Sequence, residues 1–181
     1  MLFRSFIDLP AGLACENMRD DAGRLRDIVM DDGLGWDRID WLRGITGLPI
    51  LLKGVLHPAD AELAVAHGVS GLLVSNHGGR QLDGAITTVD ALPAIVKAVG
   101  GRVPVLLDGG VRRGVDVLAA LALGATAVLV GRPVLWGLAV DGSAGVRRVL
   151  DDLRSELDAA LALVGVRTPA DLTSDALAVA S

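Results

Sequence analysis

Four short and almost continuously apolar runs repeat along the chain, with helix-length segments between them. Their first residues are spaced 22, 32 and 22 apart, and the runs occupy residues 49–53, 71–75, 103–108 and 125–131. Runs rich in Val, Leu and Ile, without polar alternation, are typical of strands buried on both faces of a parallel sheet. The sequence therefore predicts an α/β fold built from parallel β/α units.

The segments around these strands carry helix start and stop signals. Pro58 suits the first turn of a helix, Gly68 lies just past its end, and Gly100 closes the next helix. Periodicity and these signals together predict helices at residues 36–45, 58–67, 88–99, 115–123 and 144–164. Residues 1–35 have no clear period and are predicted to be irregular. The Ala/Ser-rich end, residues 173–181, is predicted to fray.

Four β/α units fit either a doubly wound open sheet or part of a (β/α)8 barrel, and periodicity does not separate the two. Polar and glycine residues concentrate in the loops that follow strands, at residues 76–84, 109–114 and 132–137. A phosphate site shared by the last two such loops is typical of barrels. The sequence contains neither G-x-G-x-x-G nor a Walker A motif, which weakens the dinucleotide-binding alternative.

Charge and cysteine content exclude several classes of function. The chain has 17 Lys and Arg against 22 Asp and Glu, a net charge of -5, so we expect no nucleic-acid partner. Cys15 is the only cysteine, which excludes an internal disulfide and a Cys-based zinc site and predicts a cytoplasmic location. The longest uncharged run, residues 117–131, is shorter than the roughly 20 residues of a spanning helix. We therefore predict no membrane span and no metal site.

The loop after the second strand, SNHGGRQLD at residues 75–83, pairs a titratable base with a fixed cation. His77 and Arg80 lie three residues apart, and a guanidinium can hold a carboxylate through two parallel hydrogen bonds. This pairing suits a carboxylate substrate from which a proton is removed. Taken singly, His77 fits a structural role and Arg80 a solvated surface charge. Their place at the carboxyl end of a strand favours function.

Two later loops combine glycine with arginine. Consecutive glycines let backbone N–H groups converge on a phosphate, and a helix N-terminus adds favourable potential. The residues concerned are Asp108, Gly109, Gly110 and Arg112 after the third strand, and Gly131 and Arg132 after the fourth. Lys53 ends the first strand, where it either reaches solvent or points a charge into a site. The repeated arrangement predicts a phosphate site, although each loop alone also fits an ordinary glycine turn.

Together these segments resemble the FMN-dependent α-hydroxy-acid oxidase and dehydrogenase family, which includes glycolate oxidase, lactate oxidase and mandelate dehydrogenase. The motifs that carry the resemblance are LPILLKG (48–54), VSNHGGRQLDG (74–84), VLLDGGVRRGVDVLAALALGA (105–125) and VGRPVLWGLA (130–139). The family fold is a (β/α)8 barrel with FMN at the carboxyl ends of its strands. The resemblance implies that residues 36–172 form the second half of such a barrel.

The resemblance also implies roles for individual residues. His77 is implied to be the catalytic base and, with Arg80, to bind the substrate, an (S)-2-hydroxy acid that is oxidised to the 2-oxo acid. Lys53 is expected beside the flavin N1 and C2 carbonyl, and Ser75 against the ring. The other implied FMN ligands lie along the ribityl and phosphate path: Asp108, Gly109, Gly110, Arg112, Gly131 and Arg132.

Half a barrel leaves sheet edges unpaired and apolar surface uncovered. The mean hydropathy of +0.50 fits that expectation. We therefore expect a homo-oligomer or pairing with a first-half chain. Two alternatives remain: a non-catalytic half-barrel that binds FMN or phosphate and needs a partner chain for activity, which the absence of tyrosine favours, and a non-redox phosphate-binding barrel.

Overall fold

A computed structural model of the chain describes residues 33–177. The chain separates into two units between Gly35 and Trp36, and every element below belongs to the second. Its strands are β1 (Leu51–Val55), β2 (Gly71–Val74), β3 (Val105–Leu107) and β4 (Ala127–Val128). Its helices are α1 (Asp37–Ile45), α2 (Pro58–Ala66), α3 (Thr88–Val99), α4 (Gly114–Ala122) and α5 (Arg132–Leu163). Within the described range, no helix has the length and apolarity needed to cross a bilayer.

The four strands form one parallel sheet in the order β1-β2-β3-β4. A doubly wound sheet reverses its strand order at a switch point, whereas the strands of a (β/α)8 barrel follow one another around the sheet. The unbroken order and the helix after each strand therefore confirm the predicted α/β half-barrel topology. All four carboxyl ends, and the loops that follow them, lie along the same edge of the sheet.

The core lies where helices cover the central strands. Strand β2 is buried throughout, and Leu92, Ile95 and Val99 of α3 are fully buried against the sheet. The outer strands differ, because Leu51 in β1 and Leu129 just after β4 are about half exposed. Within residues 33–177, β1 and β4 each pair on one side only. Apolar surface thus remains at both edges of the sheet.

The predicted loop at residues 132–137 is wrong. Helix α5 begins at Arg132, with Pro133 in its first turn, and the helix predicted at residues 144–164 is only its second arm. The two arms meet at a kink, where Asp141 and Gly142 leave helical geometry. A polar and glycine-rich composition suggested a loop, but Gly137 serves close packing between the arms instead. Strands β3 and β4 are also shorter than their apolar runs.

The last described residues differ from the predicted frayed tail. Short 3-10 helices occupy Pro169–Asp171 and Ser174–Ala176. Leu172 and Leu177 pack against Leu118 and Leu161, and this apolar packing holds the segment against the rest of the fold. The prediction for residues 1–35 falls almost wholly outside the described residues, as does that for residues 178–181, and both stay predictions.

Candidate functional site

Strand register places three predicted cofactor ligands on one face of the sheet. Lys53 lies opposite Leu73, and Leu73 lies opposite Leu106. Alternate residues of a strand share a face, so Ser75 and Asp108, each two residues further on, continue the row that Lys53 begins. The Lys53 Nζ donates a hydrogen bond to Ser75 Oγ at 2.7 Å and lies 3.4 Å from Asp108 Oδ2.

The second carboxylate oxygen of Asp108 is buried and has no hydrogen-bond partner among the described residues. A buried acceptor without a donor costs about 1–3 kcal/mol, so such an atom normally has a partner. Lys53 is partly exposed and neutralises only the other oxygen. The cluster therefore has one cation, one hydroxyl and one unsatisfied acceptor, which suits a ligand that brings its own hydroxyl donors.

The loop after β2 holds its histidine in an unusual backbone conformation. A short 3-10 helix covers His77–Gly79, and His77 has a φ of +56°, in the left-handed region that favours glycine. The His77 backbone N–H donates to Ser75 Oγ at 3.1 Å, and the Gly79 N–H donates to Asn76 Oδ1 at 3.1 Å. A non-glycine residue kept in this region marks a constrained position and motivates a functional role.

One cleft gathers nearly all the predicted site residues. It has a volume of about 300 Å³ and lies along the carboxyl ends of β1 to β4. Nine predicted residues line it: Lys53, His77, Arg80, Asp108, Gly109, Gly110, Arg112, Gly131 and Arg132. Ser75 lies outside this lining, in an adjoining cavity of about 340 Å³ that also contains Lys53 and His77. The structure thus brings together the predicted base, the predicted carboxylate-binding arginine and both glycine-arginine loops.

Close backbone packing explains one glycine of the cleft. At Gly109, φ is +90°, and a Cβ atom would lie 3.1 Å from Thr88 Oγ1 and 3.2 Å from Asn76 Oδ1. Thr88 Oγ1 also donates to the Gly109 carbonyl at 3.3 Å. A side chain at Gly110 or Gly131 would meet nothing within 4 Å. Their bare backbone leaves room for a ligand to approach the loop directly.

The two predicted phosphate arginines differ in their surroundings. Arg132 is the first residue of α5, and its guanidinium donates to the Gly78 carbonyl at 3.3 Å, which joins the loops after β2 and β4. The Arg112 guanidinium lies 5.9 Å from the centre of the Trp136 ring, within cation–π distance. Both arginines line the cleft, so its lining has two cations as well as the glycine residues.

Sequence reasoning missed the residues that support the loop after β3. Asp116 Oδ2 accepts hydrogen bonds from the backbone N–H groups of Arg112 and Arg113, both at 2.9 Å. Glu156, from the second arm of α5, accepts from the Gly114 N–H at 2.7 Å and lies 3.7 Å from Arg113 Nε. Asp116 was detectable as an acidic residue in the first turn of a helix. No local signal linked Glu156, 42 residues away, to this loop.

Comparison with known proteins identifies the family. The sequence profile of the FMN-dependent dehydrogenases matches residues 8–179. The chain belongs to this family. It is 47% identical over 180 residues to a 2-hydroxyacid oxidase of Dictyostelium discoideum, covering 95% of this chain and 46% of that protein. It is 54% identical over 148 residues to an L-lactate oxidase of a Nostoc species, covering 82% and 40%.

The fold agrees with the family. A crystal structure of mandelate oxidase with (S)-4-hydroxymandelic acid superposes with a TM-score of 0.73 at 50% identity, covering 76% of this chain and 39% of that one. The chain thus spans less than half the length of these relatives. The predicted family resemblance and α/β fold class are confirmed.

The residues present fit FMN, the cofactor of the family. Its ribityl hydroxyls are the donors that the buried Asp108 Oδ1 lacks, and its phosphate is an anion that suits Arg112 and Arg132. Gly110 and Gly131 leave backbone open to the phosphate. Lys53 supplies a positive charge; it was predicted to end the first strand, but it is the middle residue of β1, which continues to Val55. The donor set and the orphaned acceptor therefore match the chemistry of a flavin mononucleotide.

Proposed function

We propose that this protein uses FMN to oxidise a small (S)-2-hydroxy acid of the lactate, glycolate or mandelate type to the 2-oxo acid. The observation that carries the proposal is the single cleft in which His77 and Arg80 adjoin Lys53, Asp108 and the two glycine-arginine loops. The names of its relatives, 2-hydroxyacid oxidase and L-lactate oxidase, support the substrate class. A cytoplasmic location stays a prediction.

On the substrate side, two residues carry the chemistry in this proposal. Arg80 binds the substrate carboxylate, which a guanidinium can hold through two parallel hydrogen bonds. The His77 imidazole takes one of the two protons that the substrate loses as its hydroxyl-bearing carbon becomes a carbonyl carbon. FMN, when bound, takes up the two electrons and the other hydrogen. The left-handed backbone of His77 then serves to aim the imidazole.

On the cofactor side, the proposal follows the charge distribution of the cleft. Lys53 provides positive charge near the flavin ring, where it favours the electron-rich reduced form. Ser75, whose Oγ accepts from Lys53 Nζ, holds that charge in place and touches the ring. Asp108 accepts hydrogen bonds from the ribityl hydroxyls, and Gly109 and Gly110 flank the ribityl chain. The phosphate binds Arg112 and the start of α5 at Gly131 and Arg132, where the helix N-terminus adds favourable potential.

We also propose that the half-barrel functions in an assembly. The unpaired sides of β1 and β4 and the exposed Leu51 and Leu129 support this, because open sheet edges pair readily. The covering subunit is either a second copy or a chain that resembles the first half of the relatives. In the second candidate function, the half-barrel binds FMN or phosphate and turns over only after such a partner has joined.

The test is to load the chain with FMN, exclude oxygen, add (S)-mandelate or (S)-lactate, and record the visible flavin absorption. We expect bleaching with the (S)-acid and none with (R)-mandelate, which is the matched control. A bound flavin that stays oxidised contradicts turnover by this chain and supports the second candidate. Failure of the folded chain to take up flavin contradicts flavin chemistry by this chain alone and favours a non-redox phosphate site or a partner chain that flavin binding requires. Light scattering on the same sample shows whether a second copy is present.

A further inference from the structure

Arg112 forms the wall between two cavities. On one side is the cleft described above. On the other is a larger cavity of about 440 Å³ between the two arms of α5, which has Trp136 and Arg148 in its lining and Arg112 as its only predicted site residue. Trp136 lines the larger cavity but not the cleft. The direction of one guanidinium therefore decides which of the two spaces receives its charge.

The backbone of Arg112 is fixed, so its side chain decides that direction. The Arg112 N–H is bound by the Asp116 carboxylate. Asp141, Asp152 and Glu156 line the larger cavity and attract the guanidinium away from the cleft. Glu156 already contacts Gly114 and Arg113. Across residues 33–177, no carboxylate lies within ion-pair distance of Arg112, and Trp136 is the contact that its guanidinium makes at 5.9 Å.

An aromatic face holds a cation differently from a carboxylate. The ring attracts the guanidinium through its quadrupole and does not neutralise its charge. The five N–H donors in the guanidinium plane stay free to bond elsewhere. An arginine held in this way keeps its full charge and its hydrogen-bonding capacity for an anion in the cleft. In an arginine paired with Asp152 or Glu156, the charge would be compensated and part of its donors would be engaged. The indole therefore suits a residue whose task is to bind a phosphate.

We infer that Trp136 is a positioning residue for cofactor binding, which keeps the Arg112 guanidinium out of an ion pair with Asp152 or Glu156 and so leaves its charge available to the FMN phosphate in the cleft that Arg112 also lines. This inference rests on the proposed function. Trp136 acts through Arg112 and lies outside the lining of the cleft. Its position in α5 gives the first arm of that helix a second task beside the phosphate contacts at Gly131 and Arg132. The kink at residues 141–142 turns the second arm back, which brings its acidic residues to the same cavity.

The experiment compares FMN with riboflavin, which lacks the phosphate, by quenching of flavin fluorescence. We expect Trp136→Leu to weaken FMN binding about fivefold and to leave riboflavin binding unchanged, since an exposed cation–π contact contributes this order of affinity. Trp136→Phe keeps an aromatic face and is expected to lose less than twofold. In an Arg112→Gln background, Trp136→Leu is expected to have no further effect on FMN. Trp136→Gln gives a second non-aromatic variant should the Leu variant fail to fold.

Four outcomes overturn the inference. Equal weakening of FMN and riboflavin by Trp136→Leu makes the indole a structural residue. A full further loss in the Arg112→Gln background shows that Trp136 does not act through Arg112. If the Trp136→Leu variant binds FMN as tightly as the unaltered chain does, the inference is overturned and the proposed function stands. An unaltered chain that is folded and binds neither FMN nor riboflavin contradicts both.

Discussion

Replacing Gly145 with alanine is expected to lower the stability of the fold by about 3 kcal/mol, the upper end of overpacking effects, and its unfolding midpoint by roughly 10 °C. In a straight helix, Gly137 and Gly145 would lie roughly 12 Å apart along the axis. The kink at residues 141–142 instead packs one arm on the other, so a Cβ atom at Gly145 would collide with the Gly137 carbonyl oxygen. Backbone atoms on both sides leave no flexible group to move aside.

The matched control is Gly44→Ala. Gly44 also lies in a helix, α1, but a Cβ atom there meets nothing within 4 Å. Alanine is the better helix former, so this variant is expected to gain about 0.5–1 kcal/mol. Thermal unfolding followed by circular dichroism compares the two. Equal midpoints for both variants would show that the arms of α5 do not pack as the structure has them.

Replacing His77 with glutamine is expected to slow reduction of bound FMN by a 2-hydroxy acid about 10²- to 10⁴-fold, the usual contribution of a positioned general base. Glutamine retains hydrogen-bonding groups but cannot take up a proton near neutral pH. His77 lines the cleft beside the proposed phosphate loops but lies on a different strand end from either of them. FMN affinity is therefore expected to change less than twofold.

Anaerobic stopped-flow absorption measures this rate, and His57→Gln is the control. His57 caps α2 by accepting a hydrogen bond from the Ala59 N–H and does not line the cleft, so its loss should leave the rate unaltered. A His77→Gln variant as fast as the unaltered chain would remove His77 from the proposed role. A variant that no longer binds FMN would show that its loop, and not its base, is what the cleft requires.

Much of the fold was predictable because its signals are local. Continuous apolar runs indicated β1 to β4, and Pro58 and Gly100 marked helix ends that the structure confirms within a residue or so. The choice between barrel and open sheet was not local, since it depends on strand order. Arg132, Pro133 and Gly137 led to a predicted loop after Gly131, because a sequence pattern does not show that Gly137 packs against Gly145 to join two helical arms.

The functional site likewise has a part that the sequence predicted and a part that it did not. That Lys53, His77 and Asp108 each lie at or just past the end of an apolar run was visible in the sequence, and parallel topology made their convergence in one cleft predictable. The supporting contacts were not, because they join distant segments. Glu156 reaches the loop after β3 from the far arm of α5, and Trp136 reaches Arg112 from the near one. The Glu156 contact depends on the kink at residues 141–142, where Asp141 and Gly142 give a local turn signal that does not show which surfaces the two arms bring together.

Titration of the chain with FMN and, in parallel, with riboflavin tests the central claim most directly, which is that the cleft at the strand ends binds a flavin through its phosphate. FMN is expected to bind at least about tenfold more tightly than riboflavin, since each charge-assisted hydrogen bond to a phosphate contributes about 1.5–3 kcal/mol. Arg132→Ala is expected to remove most of that difference by weakening FMN alone. Equal affinity for the two flavins, or an Arg132→Ala variant that still prefers FMN by the same factor, would contradict the claim.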